Sequence, residues 1–435
     1  MNEPREESEI DPTRTPRRNP FRSTYWRSPL RGPWLTSVLG LVLLVGLTLV
    51  FVTGLLSYAA YNPWLGGRFN DTTPDKGVLG FYLFTWPTRP VWLYQLTQGI
   101  HVLVGLALVP VLLAKLWSVI PKLFTWPPVT SPAQAIERAS LLLLVGGAFF
   151  EFATGIINIQ YWYVFPTGFY AAHFYGAWVF AGALAVHVAV RARTVVTALR
   201  SRRLRTELRT RLVDTRPEPP DDHGLVAPNP EPPTMTRRGL IALVGGGSLL
   251  VLVLTIGQTI GGPLRRLALL APRGGVQGTA LDDFPVNKTA AYRGITAAQT
   301  GPDWRLHVVG RRGLRLSRAD LLALPQYTER LPIACVEGWS TVQDWTGVRL
   351  RDLADLAGVP ESDLASAFVE SLQRGGGFGT ANLATNQVLD PRSLLALRVN
   401  GADLSLDHGF PARVIVANGP GVHNTKWVSA MTFRT

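Results

Sequence analysis

The stretch WLTSVLGLVLLVGLTLVFVTGLLSYAA, residues Trp34–Ala60, contains no charged residue and decides the first half of the fold. It is longer than the roughly 20 apolar residues that an α-helix needs to cross a bilayer. Only 17% of the 435 residues are charged, whereas soluble chains average about a quarter. Four further apolar runs follow, and together they predict five membrane-spanning helices: Val91–Ala114, Ala139–Ile159, Phe169–Val190 and Gly239–Ile260.

The basic residues flank these apolar runs. Lys and Arg number 43 against 30 Asp and Glu, a net charge of +13. They concentrate in the N-terminal tail, after the second run and in Arg191–Arg211, so the positive-inside rule assigns these segments to the cytoplasm. The chain after Gly262 is then extracytoplasmic. Because the excess charge forms no separate basic domain, the sequence does not predict nucleic acid as a partner.

The predicted organisation has five parts. These are a basic cytoplasmic tail (1–32), a four-helix membrane domain (33–193), an Arg- then Pro-rich cytoplasmic linker (194–235), an anchoring helix (236–262) and a C-terminal α+β domain (281–435). Seven prolines in Thr215–Thr234 predict an extended, flexible linker. Thr236-Arg-Arg-Gly-Leu240 resembles a twin-arginine export signal, although a positive-inside anchor explains the same residues. No internal repeat is identified.

Three histidines lie within the apolar runs. His101 is in the second run, and His173 and His187 are in the fourth, fourteen residues apart. In a helix this spacing is about 21 Å along the axis with an angular offset of about 40°, so both side chains share one face. Neutral imidazole is an axial ligand of haem iron. His101 and His173 lie about 10 and 4 residues from the outer ends of their helices and His187 about 18, so the first two are the nearer match for one haem. Three histidines on two parallel helices favour haem binding over simple interhelical hydrogen bonding. Glu151, in the third run, suits either a proton or quinol path or a hydrogen bond between helices.

His101, His173-Phe-Tyr-Gly-Ala-Trp178 and His187 resemble the haem-binding cytochrome b subunits of membrane formate dehydrogenases and nickel–iron hydrogenases, over about Arg31–Arg193. The resemblance implies haem b and electron exchange with the quinone pool. In that family a histidine near the start of the first helix serves a second haem, but Pro33 stands there in this chain. The resemblance therefore implies one haem on His101 and His173, with His187 as a candidate ligand of a second.

The C-terminal region has the pattern of a soluble α+β domain. Strands are predicted at Arg305–Val309, Ala367–Leu372, Ala412–Ala417 and Lys426–Phe433. Helices are predicted at Val348–Ala357 and Asp390–Leu397 and after the Ser317-x-x-Asp320 capping box, and a hairpin turn at Asn400-Gly401.

Cys335 is the one cysteine in the sequence, which excludes an internal disulfide framework and Cys-rich metal clusters. An isolated cysteine is either a buried apolar side chain or a soft metal ligand. A nucleophilic role needs a base within reach, and its sequence neighbours do not indicate one.

Ala334-Cys-Val-Glu-Gly-Trp-Ser340, followed by Trp345-Thr-Gly-Val-x-Leu350, resembles the molybdenum-cofactor domain of the sulfite oxidase family. The nearest branch is that of periplasmic methionine-sulfoxide reductases. The resemblance covers about Phe284–Phe433 and implies that Cys335 is the protein ligand of molybdenum. It also implies a set of contacts to the pterin cofactor, of which Arg413 and Lys426 suit a phosphate: Asn287, Ser371, His408, Arg413, Asn424, Thr425 and Lys426.

These features predict a membrane four-helix haem bundle with a fifth anchoring helix, followed by a sulfite oxidase-type α+β molybdopterin domain. The function expected is oxygen-atom transfer on a small extracytoplasmic substrate at the cytoplasmic membrane, with sulfoxide reduction first. Sulfite oxidation is the alternative, with Arg374 as a candidate anion contact. A third hypothesis is a non-enzymatic membrane cytochrome whose outer domain docks a partner.

Overall fold

The computed structural model describes residues 25–65, 82–123, 131–160, 169–221, 224–272, 281–373 and 379–435. Its long helices confirm the five predicted apolar helices and are long and apolar enough to cross a membrane: α1 (Pro33–Ala60), α2 (Leu93–Leu123), α3 (Pro132–Ile159), α4 (Phe169–Ser201) and α6 (Arg237–Ile260). Most of the predicted basic tail and the candidate Arg374 lie outside the described residues.

The chain divides into two compact units. The smaller unit comprises Met1–Leu41, Leu112–Arg138 and Val190–Val244, and the larger unit comprises Val42–Val111, Ala139–Ala189 and Gly245–Thr435. Each of the five long helices is therefore divided, with one end assigned to each unit.

In the smaller unit, the segment predicted as a flexible linker is partly helical and packed. Helix α4 runs on to Ser201, and a short helix α5 follows at Leu204–Arg209. The buried carboxylate of Glu218 accepts hydrogen bonds from the amides of Trp34 at 2.8 Å and Leu35 at 3.4 Å. These amides belong to the first turn of α1, where backbone N–H groups lack intrahelical acceptors. The proline-rich segment therefore caps α1.

Arg237, the first residue of α6, is also buried in the smaller unit. Its guanidinium forms an ion pair with Glu207 at 3.2 Å and donates to the carbonyls of Pro29 at 3.2 Å and Arg216 at 3.0 Å. This side chain ties α6 to the linker and to the segment that precedes α1.

The C-terminal part of the larger unit is an α+β domain with two five-stranded sheets. The first sheet has the order β2-β1-β10-β5-β6, in which β1 and β10 are parallel. The second has the order β3-β4-β7-β8, with β9 paired to β7. The strands are β1 (Arg305–Val309), β2 (Gly313–Ser317), β3 (Tyr327–Ala334), β4 (Ser340–Arg349), β5 (Ser366–Ser371), β6 (Thr380–Ala384), β7 (Leu394–Val399), β8 (Ala402–Asp403), β9 (Arg413–Ile415) and β10 (Val428–Arg434). One short helix, α7 (Ala297–Thr300), precedes β1, and others lie between the strands: α8 (Arg318–Ala323), α9 (Leu350–Leu356) and α10 (Thr385–Leu389).

Several local predictions are confirmed. Strand β1 has the predicted bounds, and Ser317 and Asp320 form the predicted capping box at the start of α8. Asn400 and Gly401 both have positive φ (49° and 85°) and join β7 to β8, as the hairpin turn requires.

One predicted helix is wrong, and another is confirmed with a later start. The segment Asp390–Leu397, predicted as a helix, instead follows the end of α10. It forms a turn at Asp390 and then the first part of strand β7, whose side chains are largely buried on both faces. A strand buried on both faces has a continuous apolar sequence, which periodicity does not separate from a helix. The helix over Val348–Ala357 begins at Leu350, because β4 continues to Arg349.

Candidate cofactor sites

Cys335 lies immediately after β3, in a tight turn that leads into β4. Its amide donates to the carbonyl of Trp339 at 2.9 Å, and the amide of Gly338 donates back to the Cys335 carbonyl at 3.0 Å. Gly338 has φ +91°, a conformation that favours glycine. The thiol is buried and donates to Oε2 of Glu337 at 3.4 Å. Burial and the nearby Glu337 carboxylate raise the pKa of the thiol well above its usual value. A metal cation bound to the sulfur would reverse this effect by stabilising the thiolate.

The structure groups Cys335 with two of the predicted cofactor contacts through aromatic side chains. Cys335 packs in one buried cluster with Phe284 and Trp345. Phe284 stacks on His408 with ring centroids 3.7 Å apart, and the Arg413 guanidinium lies 5.5 Å from the centroid of Trp345. The three predicted residues therefore surround the same aromatic pair.

Arg413 and Lys426 approach each other across Gly409. A Cβ at Gly409 would lie 3.2 Å from Cβ of Arg413 and 3.1 Å from Cβ of Lys426. The backbone hydrogen bond from Val414 to Thr425, at 2.9 Å, holds the two segments side by side. The absence of a side chain at Gly409 thus brings the two predicted phosphate partners together.

Polar atoms at this place lack protein partners. Nε of Arg413, Nδ2 of Asn424 and Oγ1 of Thr425 are buried without a hydrogen-bond partner among the described residues. Burial lowers the pKa of Arg413 to about 9, and its Nη1 donates to the His408 carbonyl at 3.3 Å. Buried donors without acceptors are costly unless a ligand accepts from them. We call these three residues the anion cradle, and its chemistry fits the phosphate of a pterin cofactor.

Lys426, Ser371 and Asn287 lie beside the cradle. The Lys426 ammonium donates to the carbonyls of Asp407, at 2.9 Å, and Lys288. Ser371 Oγ donates to the Lys426 carbonyl at 2.7 Å, and Asn287 accepts the Lys288 amide at 2.8 Å. His408 Nε2 donates to the Asp282 carbonyl at 2.7 Å, and burial lowers its pKa to about 4. All the predicted pterin contacts therefore lie on this face of the α+β domain.

A second site lies among the helices of the larger unit. His101 and His173 line one cleft, which is open to the surface, and their ring centroids are 6.3 Å apart. An imidazole–metal bond is about 2.0 Å and the ring centre lies about 1.1 Å behind the ligating nitrogen, so two imidazoles on opposite faces of one metal have centres about 6.3 Å apart. The spacing fits a haem iron between the two rings.

The hydrogen bonds of both rings fix the same tautomer. Nδ1 of His101 lies 2.9 Å from the Val50 carbonyl and 3.2 Å from Thr53 Oγ1, whose own proton goes to the Leu49 carbonyl. Because both partners accept, Nδ1 carries the proton and Nε2 keeps its lone pair.

Nδ1 of His173 lies 3.0 Å from Glu151 Oε2 and 2.9 Å from Thr154 Oγ1, whose proton goes to the Phe150 carbonyl. Here too the partners accept, so Nε2 is available as a ligand. The residues therefore fit an axially bound haem. His187, the candidate for a second haem, does not belong to the described residues that line this cleft.

The fold and the anion cradle define an α+β domain that binds an anionic cofactor beside a buried thiol. Residues 294–435 match the family model described as "Oxidoreductase molybdopterin binding domain". This part of the chain is therefore similar to molybdopterin-binding oxidoreductase domains, including that of mitochondrial sulfite oxidase.

Three relatives illustrate the similarity. "Uncharacterized oxidoreductase YuiH" of Bacillus subtilis (strain 168) is 35% identical over 133 residues, 30% of this chain and 65% of that protein. Mitochondrial sulfite oxidase of Homo sapiens is 32% identical over 160 residues, 30% of this chain and 29% of that protein. "Nitrate reductase [NADH]" of Volvox carteri is 40% identical over 98 residues, 20% of this chain and 11% of that protein. The chain thus spans less than two thirds of each relative.

Sequence reasoning missed the residues that orient the two imidazoles, and an internal repeat contains the signal for them. Phe51-Val-Thr-Gly-Leu-Leu-Ser57 in α1 matches Phe152-Ala-Thr-Gly-Ile-Ile-Asn158 in α3. In both copies the threonine accepts from the histidine of the following helix. The sequence therefore does contain an internal repeat, contrary to the prediction from the sequence. Glu337 lies within the Ala334–Ser340 motif, but nothing in the sequence indicated that its carboxylate contacts the Cys335 thiol.

Proposed function

We propose that this chain is a membrane-bound oxidoreductase in which the molybdenum cofactor transfers an oxygen atom to or from a small substrate outside the cytoplasmic membrane. Electrons pass between this centre and the quinone pool by way of a haem b held by His101 and His173. Sulfoxide reduction is the favoured reaction, from the resemblance of the Cys335 motif. Sulfite oxidation is the second candidate, supported by the similarity to human sulfite oxidase.

One observation carries the proposal: the Cys335 loop contacts the helix that holds His101. Gln98 Nε2 donates to the Val336 carbonyl at 3.1 Å. Gln98 is one helical turn from His101, and Val336 and Gln98 both line the cleft between the imidazoles. The residue next to the predicted molybdenum ligand therefore forms part of the wall of the predicted haem site.

Further hydrogen bonds hold the loop against the helices of the larger unit. Gln95 Nε2 donates to Ser340 Oγ at 2.7 Å, and Thr259 Oγ1 donates to the Gly338 carbonyl at 2.6 Å. Arg265, just after α6, donates to the Ser340 carbonyl at 2.8 Å. Bonds from two helices and a following turn hold the loop in place beside the cleft, which supports a fixed separation between the two proposed centres.

The residues of the chain have distinct tasks in this scheme. Molybdenum bound by a pterin supplies oxygen-atom exchange, and haem supplies one-electron transfer. Cys335 supplies a thiolate to the metal, and the anion cradle holds the pterin phosphate. His101 and His173 would hold the haem through Nε2, and their Nδ1 acceptors fix ring orientation as well as tautomer.

The test is anaerobic absorption spectroscopy of the full-length chain, purified in detergent with its molybdenum and haem content measured. Adding methionine sulfoxide to protein with reduced haem is expected to reoxidise the haem, and Cys335→Ser is expected to abolish this. Reduction of oxidised haem by sulfite would support the second candidate instead. A protein that contains both cofactors but responds to neither substrate contradicts the oxygen-transfer proposal. A protein that purifies without molybdenum supports the non-enzymatic cytochrome.

A further inference from the structure

The haem cleft is built from two copies of one helical hairpin. The offset between equivalent positions is 101 from α1 to α3, as for Thr53 and Thr154, and 72 from α2 to α4, as for His101 and His173. Ten cleft-lining positions of the first hairpin have a cleft-lining equivalent in the second. The first hairpin contributes Val50, Phe51, Gly54, Leu55, Ser57, Gln98, His101, Val102, Gly105 and Leu106. The second contributes Glu151, Phe152, Gly155, Ile156, Asn158, Tyr170, His173, Phe174, Ala177 and Trp178.

The two hairpins differ at the acceptor for the histidine Nδ1 proton. In the first hairpin it is the backbone carbonyl of Val50, at 2.9 Å. In the second the equivalent residue is Glu151, whose carboxylate lies 3.0 Å from Nδ1 of His173. One imidazole is therefore paired with a neutral carbonyl and the other with a carboxylate.

A second difference makes room for this carboxylate. A Cβ at Gly176 of α4 would overlap Glu151 Oε1 and would also meet the ring of Phe150 at 2.6 Å. The equivalent position in α2 is Val104, which faces no such carboxylate because its hairpin has Val50. The pair Glu151 and Gly176 thus replaces the pair Val50 and Val104.

We propose that Glu151 is a positioning residue for the haem, accepting the Nδ1 proton of His173 and lowering the reduction potential of the iron. The inference rests on the proposed haem site. A carboxylate acceptor increases the basicity of the ligating imidazole, and a more basic ligand stabilises ferric over ferrous iron. Glu151 Oε1 is buried without a hydrogen-bond partner among the described residues, so other protein donors do not offset the carboxylate.

The experiment is a spectroscopic redox titration of the detergent-purified full-length chain, with haem per chain measured in each sample. In Glu151→Gln, which keeps the shape and an acceptor oxygen, the ratio of reduced to oxidised haem at a given potential is expected to rise at least tenfold. That change is a positive shift of about 59 mV for a one-electron couple. Unchanged haem content with a shift below threefold would overturn the proposal.

Two companion variants separate the carboxylate from general disturbance of the site. Thr154→Val removes the other Nδ1 acceptor and is expected to shift the ratio less than Glu151→Gln does. An equal shift would show that the carboxylate has no special effect and would overturn the proposal. Gly176→Ala displaces the carboxylate and is expected to raise the potential in the wild-type background but not in Glu151→Gln. A further shift in the double variant would also overturn it.

The outcomes also separate this inference from the proposed function. If the wild-type chain binds no haem, the haem assignment itself fails. If Glu151→Gln loses haem, Glu151→Asp is titrated instead. Its ratio is expected to stay within threefold of wild type because the charge is kept, and a tenfold change would contradict the role of the carboxylate.

Discussion

Replacing Arg413 by methionine tests whether the anion cradle is built for a ligand. Burial lowers the pKa of the guanidinium from 12.5 to about 9, and each pKa unit corresponds to about 1.36 kcal/mol. The charged side chain therefore costs the folded, cofactor-free protein up to about 5 kcal/mol. Methionine removes this cost, but it also loses the hydrogen bond to the His408 carbonyl, worth about 1 kcal/mol.

We expect wild type and Arg413→Met to exchange their order of stability between the cofactor-free and the cofactor-bound protein. Without the cofactor, Arg413→Met should unfold at a higher temperature than wild type. If half of the electrostatic cost is recovered and the hydrogen bond is lost, the net gain is about 1.5 kcal/mol. This corresponds to an increase of about 3–6 °C, at about 2–4 °C per kcal/mol for a domain of 150–250 residues. With the cofactor, wild type should be the more stable form, because the phosphate pairs with the guanidinium.

The assay is thermal unfolding of the full-length chain in detergent, produced with and without molybdopterin biosynthesis. Arg330, a largely exposed residue, provides the matched control, since Arg330→Met should change stability by less than about 0.5 kcal/mol in either form. If Arg413→Met lowers the unfolding temperature of the cofactor-free protein, the guanidinium is satisfied by the protein itself and the cradle is refuted.

Three further predictions concern the same unit. Cys335→Ser should lower sulfoxide reduction with an artificial electron donor by more than about 100-fold while leaving the haem spectrum intact, because the soft thiolate ligand is lost; wild-type turnover would contradict the ligand assignment. Gln98→Leu breaks the hydrogen bond to Val336 and should slow the reoxidation of haem by substrate about tenfold, without changing the activity measured with the artificial donor. Equal reoxidation rates for the variant and wild type in stopped-flow absorption would contradict a role for this contact. Burial lowers the pKa of His408 from 6.5 to about 4, so the free energy of unfolding of the cofactor-free protein should fall by up to about 3 kcal/mol as the pH falls from 6.5 to 4. The unfolding temperature should depend less on pH in His408→Gln, which a series of thermal unfolding curves at different pH values would measure.

The sequence could predict features that depend on local chemistry. Apolar length alone predicts the five long helices, and the capping box at Ser317 and the turn at Asn400-Gly401 follow from hydrogen bonding and φ preference. Strand β7 could not be predicted, because a strand buried on both faces lacks the alternation that distinguishes it from a buried helix.

The candidate sites divide in the same way. The motifs that named Cys335, Arg413 and Lys426 come from short stretches of sequence, whereas the contact between Gln98 and Val336 joins residues 238 positions apart. Such a contact depends on how α2 packs against the loop after β3, and no local pattern in a single sequence predicts it. The acceptors of His101 and His173 are intermediate, because the repeat around Thr53 and Thr154 is visible in the sequence once the two hairpins are compared.

The burial of Arg237 constrains the order of events during biogenesis. In the finished structure its side chain is enclosed by Glu207, Pro29 and Arg216. If the Arg237-Arg238 pair serves as an export signal, its receptor must therefore bind a nascent or incompletely folded chain. After these contacts form, the side chain of Arg237 is inaccessible, so the mature protein would not bind such a receptor again.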